Sequence, residues 1–223
     1  MKIHKKTQRF LKWKTLSYLL KNDKEKMLLK HFFKHPIKYG CNFLRSAIRT
    51  KSHIRDGDLF LYGVNSVEEF QDLLKGENKI LLVGFGYCQK PMQCPAGRFT
   101  AQCLCDDDNP TCQNCFIGKC MKLNPNIKPI VITTTYYIGE QIFKLIEENP
   151  NKEILFAISA CELALKMFGD WGNMVQLKGI GIKLDGRVCT SMQAFIAAEN
   201  GIKPFQTTIP PEQEKLFLRI INS

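Results

Sequence analysis

Apolar positions follow one period in the first fifty-five residues and another in the rest of the chain. Within residues 8–21, Phe10, Trp13, Leu16 and Leu20 recur near helical spacing with Lys and Arg between them. Residues 24–35 repeat the pattern up to Pro36, and residues 42–51 repeat it after Gly40. These spacings predict three short basic amphipathic helices. From Asp58 the period changes. Residues 58–64 read as a strand, and Ser66 with Glu69 then forms a capping box for a helix that Gly76 closes. The continuous apolar run 79–86 is what a strand buried on both faces requires, and 128–134, 153–159 and 178–184 read as further strands. Helices are expected over 138–148, over 161–168, from Thr190 up to Gly201, and after Pro210-Pro211.

Strands alternating with helices at this spacing predict an α/β fold. The expected architecture is a mostly parallel sheet of about five strands with helices on both faces and a cysteine-rich loop after the second strand. Residues 1–55 would form a basic helical appendage and residues 56–223 the cysteine-rich α/β domain.

Charge sharpens this division. Residues 1–55 carry twelve Lys and four Arg against Asp23 and Glu25, a net charge of +14, whereas the remainder has 16 basic and 19 acidic residues, a net of −3. Such an appendage suits an anionic membrane surface or nucleic-acid phosphate, or it packs its apolar faces on the main domain and leaves the cations solvated. His4, His31, His35 and His53 all lie here at no metal-ligand spacing and read as surface residues. No secretory signal is visible, and no run approaches the ~18 apolar residues of a membrane span. A cytoplasmic location is expected, peripheral to the membrane if the basic helices attach there.

The chemistry concentrates in cysteine. Seven of the ten cysteines fall within the 33 residues from Cys88 to Cys120, a density that core packing does not call for. In a reducing compartment such a cluster points to metal binding or redox work rather than a disulfide framework. Cys112-Gln113-Asn114-Cys115 is a C-x-x-C, with Cys94 before it and Cys120 after it; these four are expected to form a loop site. Cys88, Cys161 and Cys189 each follow a strand, so a parallel sheet would bring all three to its carboxyl edge, where ligands bind. Ser159-Ala160-Cys161-Glu162 reads as a capping box that puts Cys161 in a helix's first turn, where a lowered thiol pKa is expected. Cys41 reads as structural, Asp106–Asp108 as a solvated turn, and Lys90 and Arg98 as solvated loop cations.

Residues 56–223 contain no His, so any metal there needs thiolate ligands, which suit zinc or an iron–sulfur cluster. The thiols suffice for two four-ligand sites, which inclines the reading towards iron–sulfur. Gly84-Phe85-Gly86 lacks the third glycine of a dinucleotide fingerprint, and phosphate-loop, nucleophile-elbow and H-E-x-x-H motifs are absent.

The order Cys88-Gln89, Cys94-Pro95, Cys112-x-x-Cys115 with Ile117-Gly118, a Thr run after a strand, Ala160-Cys161-Glu162 and Cys189-Thr190 resembles the cysteine-rich family catalogued as domain of unknown function 116, over roughly residues 79–200. The resemblance implies a cysteine-built site and supplies no reaction. Some family members have hydrophobic N-terminal segments; the nearest equivalent here is peripheral attachment by the basic helices.

Three functions meet these observations. One is a redox-related metal protein with a thiolate site at the sheet edge. The second is a metal-free thiol–disulfide oxidoreductase in which Cys112 and Cys115 exchange with Cys161. The third is a non-enzymatic module with structural metal whose basic arm binds membrane or RNA.

Overall fold

A computed structural model describes residues 5–23, 26–48, 53–122, 127–173 and 175–222, with the side chains of 5–12, 28, 43, 46 and 47 outside that description. Three N-terminal helices come first: α1 (Lys5–Asn22), α2 (Met27–Lys34) and α3 (Pro36–Ile48). The α/β part runs β1 (Ile54–Asp56), β2 (Leu59–Tyr62), α4 (Val67–Leu74), β3 (Lys79–Gly86), α5 (Pro110–Gln113), α6 (Phe116–Met121), β4 (Ile127–Ile132) and α7 (Thr135–Glu148). It continues through β5 (Glu153–Ala160), α8 (Glu162–Gly172), β6 (Lys178–Lys183), β7 (Asp185–Gly186), α9 (Met192–Glu199), β8 (Thr207–Thr208) and α10 (Pro211–Ile221).

The chain is α/β, as its alternating pattern requires. Six strands form one sheet in the order β1-β2-β6-β5-β3-β4, and β7 pairs with β8 apart from it. β3, β4, β5 and β6 are parallel, with β3 set between β4 and β5. β2 joins β6 antiparallel, and β1 joins β2 antiparallel at the edge. The sheet therefore has one strand more than the pattern suggested: β1 is three exposed residues, too short and too polar to leave an apolar signature.

Alternate residues of β3 explain its continuous apolar run. Leu81, Val83 and Phe85 enter a core shared with Phe70 of α4, Ile117 of α6 and Phe217 of α10. Leu82 faces the other way, into a core with Ile142 of α7 and Phe168 of α8. Helices thus cover both faces.

The N-terminal helices lie against this second layer. Leu19 is buried in its core, and the Thr15 hydroxyl donates to the Asp170 carboxylate of α8 at 3.2 Å. His31 is buried rather than a surface residue; its ring stacks on Phe143 at 4.4 Å and its Nδ1 lies 3.2 Å from Glu147. Pro36 opens α3, where its missing N–H costs nothing, and Gly40 lies inside that helix instead of breaking it. The portions of the expected helices at 24–25 and 49–51, and the Phe10 side chain, lie outside the described residues. Among the described residues no helix is long and apolar enough to cross a membrane.

Candidate thiol site

The sheet's connections diverge between β3 and β5. The chain leaving β3 runs to β4 on one side, while the chain leaving β5 runs to β6 on the other. The crevice between such diverging connections is where open parallel sheets bind ligands. Cys88 lies in the 3-10 turn Tyr87–Gln89 directly after β3, and Cys161 follows β5 as the N-cap residue of α8. Gln89 ties the two strand ends together: its Nε2 donates to Ser159 Oγ at 2.8 Å and to Ser159 O at 3.3 Å. Ser159 is therefore engaged with Gln89, and Cys161 takes the cap position.

Cys189 reaches the same crevice from the loop after β7. Its thiol is hydrogen-bonded with Cys161, and Cys88 is near enough to interact electrostatically with both. The three sheet-edge cysteines thus come together. Lys203 donates its Nζ to Cys189 Sγ at 3.4 Å. The Cys161 hydrogen bond, with Lys203 in support, holds the Cys189 thiol down at about 6. Cys161 goes the other way, raised because its proton is shared towards Cys189 and because it is buried, although the Ala164 amide favours its thiolate. A lowered pKa at Cys161 was the sequence expectation; burial and the partner thiol outweigh the helix terminus, and the ionisable sulfur is Cys189. Burial also pushes the Cys88 thiol up.

Five of the remaining seven thiols gather at the loop between β3 and α5. Lys90 organises it. Far from being a solvated cation, Lys90 is 1% exposed, and its Nζ donates to Gly97 O at 2.9 Å, Thr100 O at 3.0 Å, Thr100 Oγ1 at 2.8 Å and Gln102 O at 2.7 Å. Arg98 is likewise engaged, donating Nη2 to Cys88 O at 3.2 Å and to Phe205 O at 2.8 Å. One small cavity beside Lys90 is lined by Cys94, Cys103, Cys112 and Cys115. Cys105 adjoins it in a left-handed backbone conformation, φ 50°, which brings its sulfur within 3.2 Å of Cys103 Sγ. For a residue other than glycine that conformation costs roughly 1–2 kcal/mol. Burial, then the Cys103 contact, pushes the Cys105 thiol up to about 12.

Cys120, expected from its position after the C-x-x-C to complete the loop set, does not line this cavity. It lies on α6 with 3% exposure in the core beside α10, where burial and then Glu214 push its thiol up to about 12. Cys103 occupies the place expected of it. Gly118 explains how tightly α6 packs over the C-x-x-C: a Cβ there would meet Cys112 O at 2.9 Å. Cys41 is exposed on α3, and Asp106, Asp107 and Asp108 are exposed in a turn.

The burial of Lys90 had no signal in the sequence, because its acceptors are backbone carbonyls that only the folded loop brings together. Glu199 was also missed. It accepts from Thr135 Oγ1 at 2.8 Å and Tyr18 Oη at 3.1 Å, and burial raises its carboxyl above the usual range.

Among the described residues, no three His, Cys, Asp or Glu side chains converge as they would around a bound metal ion. The thiols line shared space and meet in pairs. Neither a family model, a curated protein nor a solved structure matches the chain, so its likeness to the cysteine-rich family rests on the residues alone.

Proposed function

We propose that this chain is a redox-related metal-binding α/β protein whose loop thiols Cys94, Cys103, Cys112 and Cys115 hold zinc or an iron–sulfur cluster. The observation that carries the reading is that these four thiols line one cavity beside the buried Lys90. All four acceptors of its ammonium are neutral. Burial lowers the Lys90 pKa, and Cys94, Cys103 and Cys115, once a bound metal holds them as thiolates, would favour the charged lysine. Four thiolates around zinc, or around a cluster, carry the net negative charge that this cation requires. The donor set fits by chemistry and charge, although the sulfurs do not converge on one point without a ligand. Bound zinc would hold the loop closed, and a cluster would supply one-electron transfer.

The protein's own residues do the rest. Lys90 fixes the span 97–102, Arg98 ties that span to Phe205, and Gly118 lets α6 close over Cys112. Absorbance and elemental analysis of protein purified without oxygen test the reading. Stoichiometric zinc, or iron with matching sulfide, is expected; metal-free protein would refute it.

A second reading is favoured by one observation, the contact between Cys161 and Cys189 with Lys203 beside them. There the Cys189 thiolate attacks a substrate disulfide, one substrate thiol leaves with a proton, and Cys161 displaces the other. The substrate disulfide is reduced as Cys161 and Cys189 are oxidised to a disulfide. Unlike Cys112 and Cys115, which line the loop cavity, Cys189 packs in the same cluster as Cys161. Its test is a reversible Cys161–Cys189 disulfide, seen by mass spectrometry of peptides from oxidised and re-reduced protein.

A further inference from the structure

A cavity of about 300 Å³ lies between the N-terminal helices and α7 and α8, reaching Thr135 at the start of α7. Leu16 and Leu19 of α1, Leu29 and Phe32 of α2, Phe143 of α7 and Trp171 of α8 line it. Engineered apolar cavities of roughly 150 Å³ already take up benzene. Ligand sites begin at about 300 Å³. Leu20, Leu29 and Phe32 remain partly exposed, so the cavity reaches the surface. Its lining offers little to a polar ligand and suits hydrocarbon.

Gly139 gives an independent indication. It lies inside α7 and lines the cavity, yet a Cβ added there would meet nothing within 4 Å. Glycine in a helix interior is destabilising relative to alanine. No neighbour demands it, and its effect is to keep the cavity wide.

The helices that line the cavity supply the charge. Lys21, Lys26 and Lys30 are exposed on or beside α1 and α2. Nearby, Asp23 is committed as the cap of α2, accepting from Met27 N at 2.7 Å and Leu29 N at 3.3 Å, and Glu147 pairs with Lys34 and His31. The same helices expose Trp13, Phe33, Ile37, Leu44 and Ile48 among their cations. This is the composition of helices that lie in a membrane interface.

We propose that the N-terminal helices dock on an anionic bilayer and that the cavity takes up one acyl chain of an anionic phospholipid. The cations meet the headgroups, the exposed apolar side chains enter the interface, and the chain leaves the bilayer for the space beside Gly139 and Trp171. The proposal is independent of the metal.

Trp13 and Trp171 are the chain's two tryptophans, so full-length Trp13→Phe protein reports from the cavity alone. It would be mixed with phosphatidylglycerol vesicles brominated on the acyl chain, and with equally brominated phosphatidylcholine vesicles. Quenching of Trp171 is expected with the first and its loss with the second. Adding Gly139→Ala and then Gly139→Leu should diminish and then abolish quenching, while the protein still co-sediments with phosphatidylglycerol and keeps its helical circular dichroism. Quenching that is equal across the three side chains at position 139, equal for both lipids, or absent altogether would overturn the proposal.

Discussion

The sheet-edge thiols and the loop thiols adjoin through residues 87–90 but are held by opposite means. Cys88 and Cys161 stand where strands end, and their place follows from the parallel sheet; Cys189 joins them through a loop and a hydrogen bond. The loop thiols have no sheet beneath them. Between Gln89 and α5 the chain has no helix or strand, and its shape depends on one buried ammonium, the Arg98 strap and the sulfurs themselves. One group should survive changes to its ligands and the other should not.

Replacing Lys90 with Met should have the largest effect. It leaves the carbonyls of Gly97, Thr100 and Gln102 without their donor, at a cost on the order of 3 kcal/mol or more. Urea denaturation should report that loss, and proteases should cut within 97–102, while alkylation of Cys189 stays close to the wild-type rate. Equal damage at both groups would show that they are one unit.

Gly118→Ala is the next largest. A methyl group 2.9 Å from Cys112 O forces α5 and α6 apart at a cost of about 1–3 kcal/mol. Alkylation of Cys112 and Cys115 should quicken relative to Cys189. If their rates do not change, the close approach of α6 is not what encloses these sulfurs.

Cys103 and Cys120 should differ in the same way within the loop. Cys103→Ser should lose bound metal. Cys120→Ala should keep it and lose about 1 kcal/mol of stability from a small cavity in the core. Metal analysis of the two proteins decides, and the reverse ranking would return Cys120 to the ligand set.

The smallest effect is on reactivity at the sheet edge. Only the thiolate alkylates, so a Cys189 pKa lowered to about 6 means that its iodoacetamide rate climbs as pH rises through that value and levels off above it. Cys161→Ala removes the main stabilising hydrogen bond and should move the climb to higher pH. A wild-type profile that rises only above pH 8 would contradict the assignment of the ionised sulfur.

How much of this was legible in the sequence follows from the same contrast. β3 and β5 announced themselves by runs such as Leu81–Phe85 and Ile154–Ile158, because burial on both faces leaves no room for polar residues. The start of α4 was readable from Ser66, which accepts from the Glu69 amide, whereas α9 is capped by Ser191, one residue after the Thr190 that the pattern suggested. Once the strands were known, their shared edge brought Cys88 and Cys161 together without further information. Inside the loop such regularities fail. α5 and α6 are four and six residues long, too short for a period to emerge. Cys120 lies on the core side of α6 because of how that helix packs, which spacing after the C-x-x-C does not encode.

Metal binding by the sulfur beneath the loop is the central claim. Native mass spectrometry of the full-length chain, purified without oxygen, measures this directly. A mass increment for zinc or for an iron–sulfur cluster is expected, and it should disappear in Cys103→Ser protein. A wild-type mass equal to that of the polypeptide alone would contradict it.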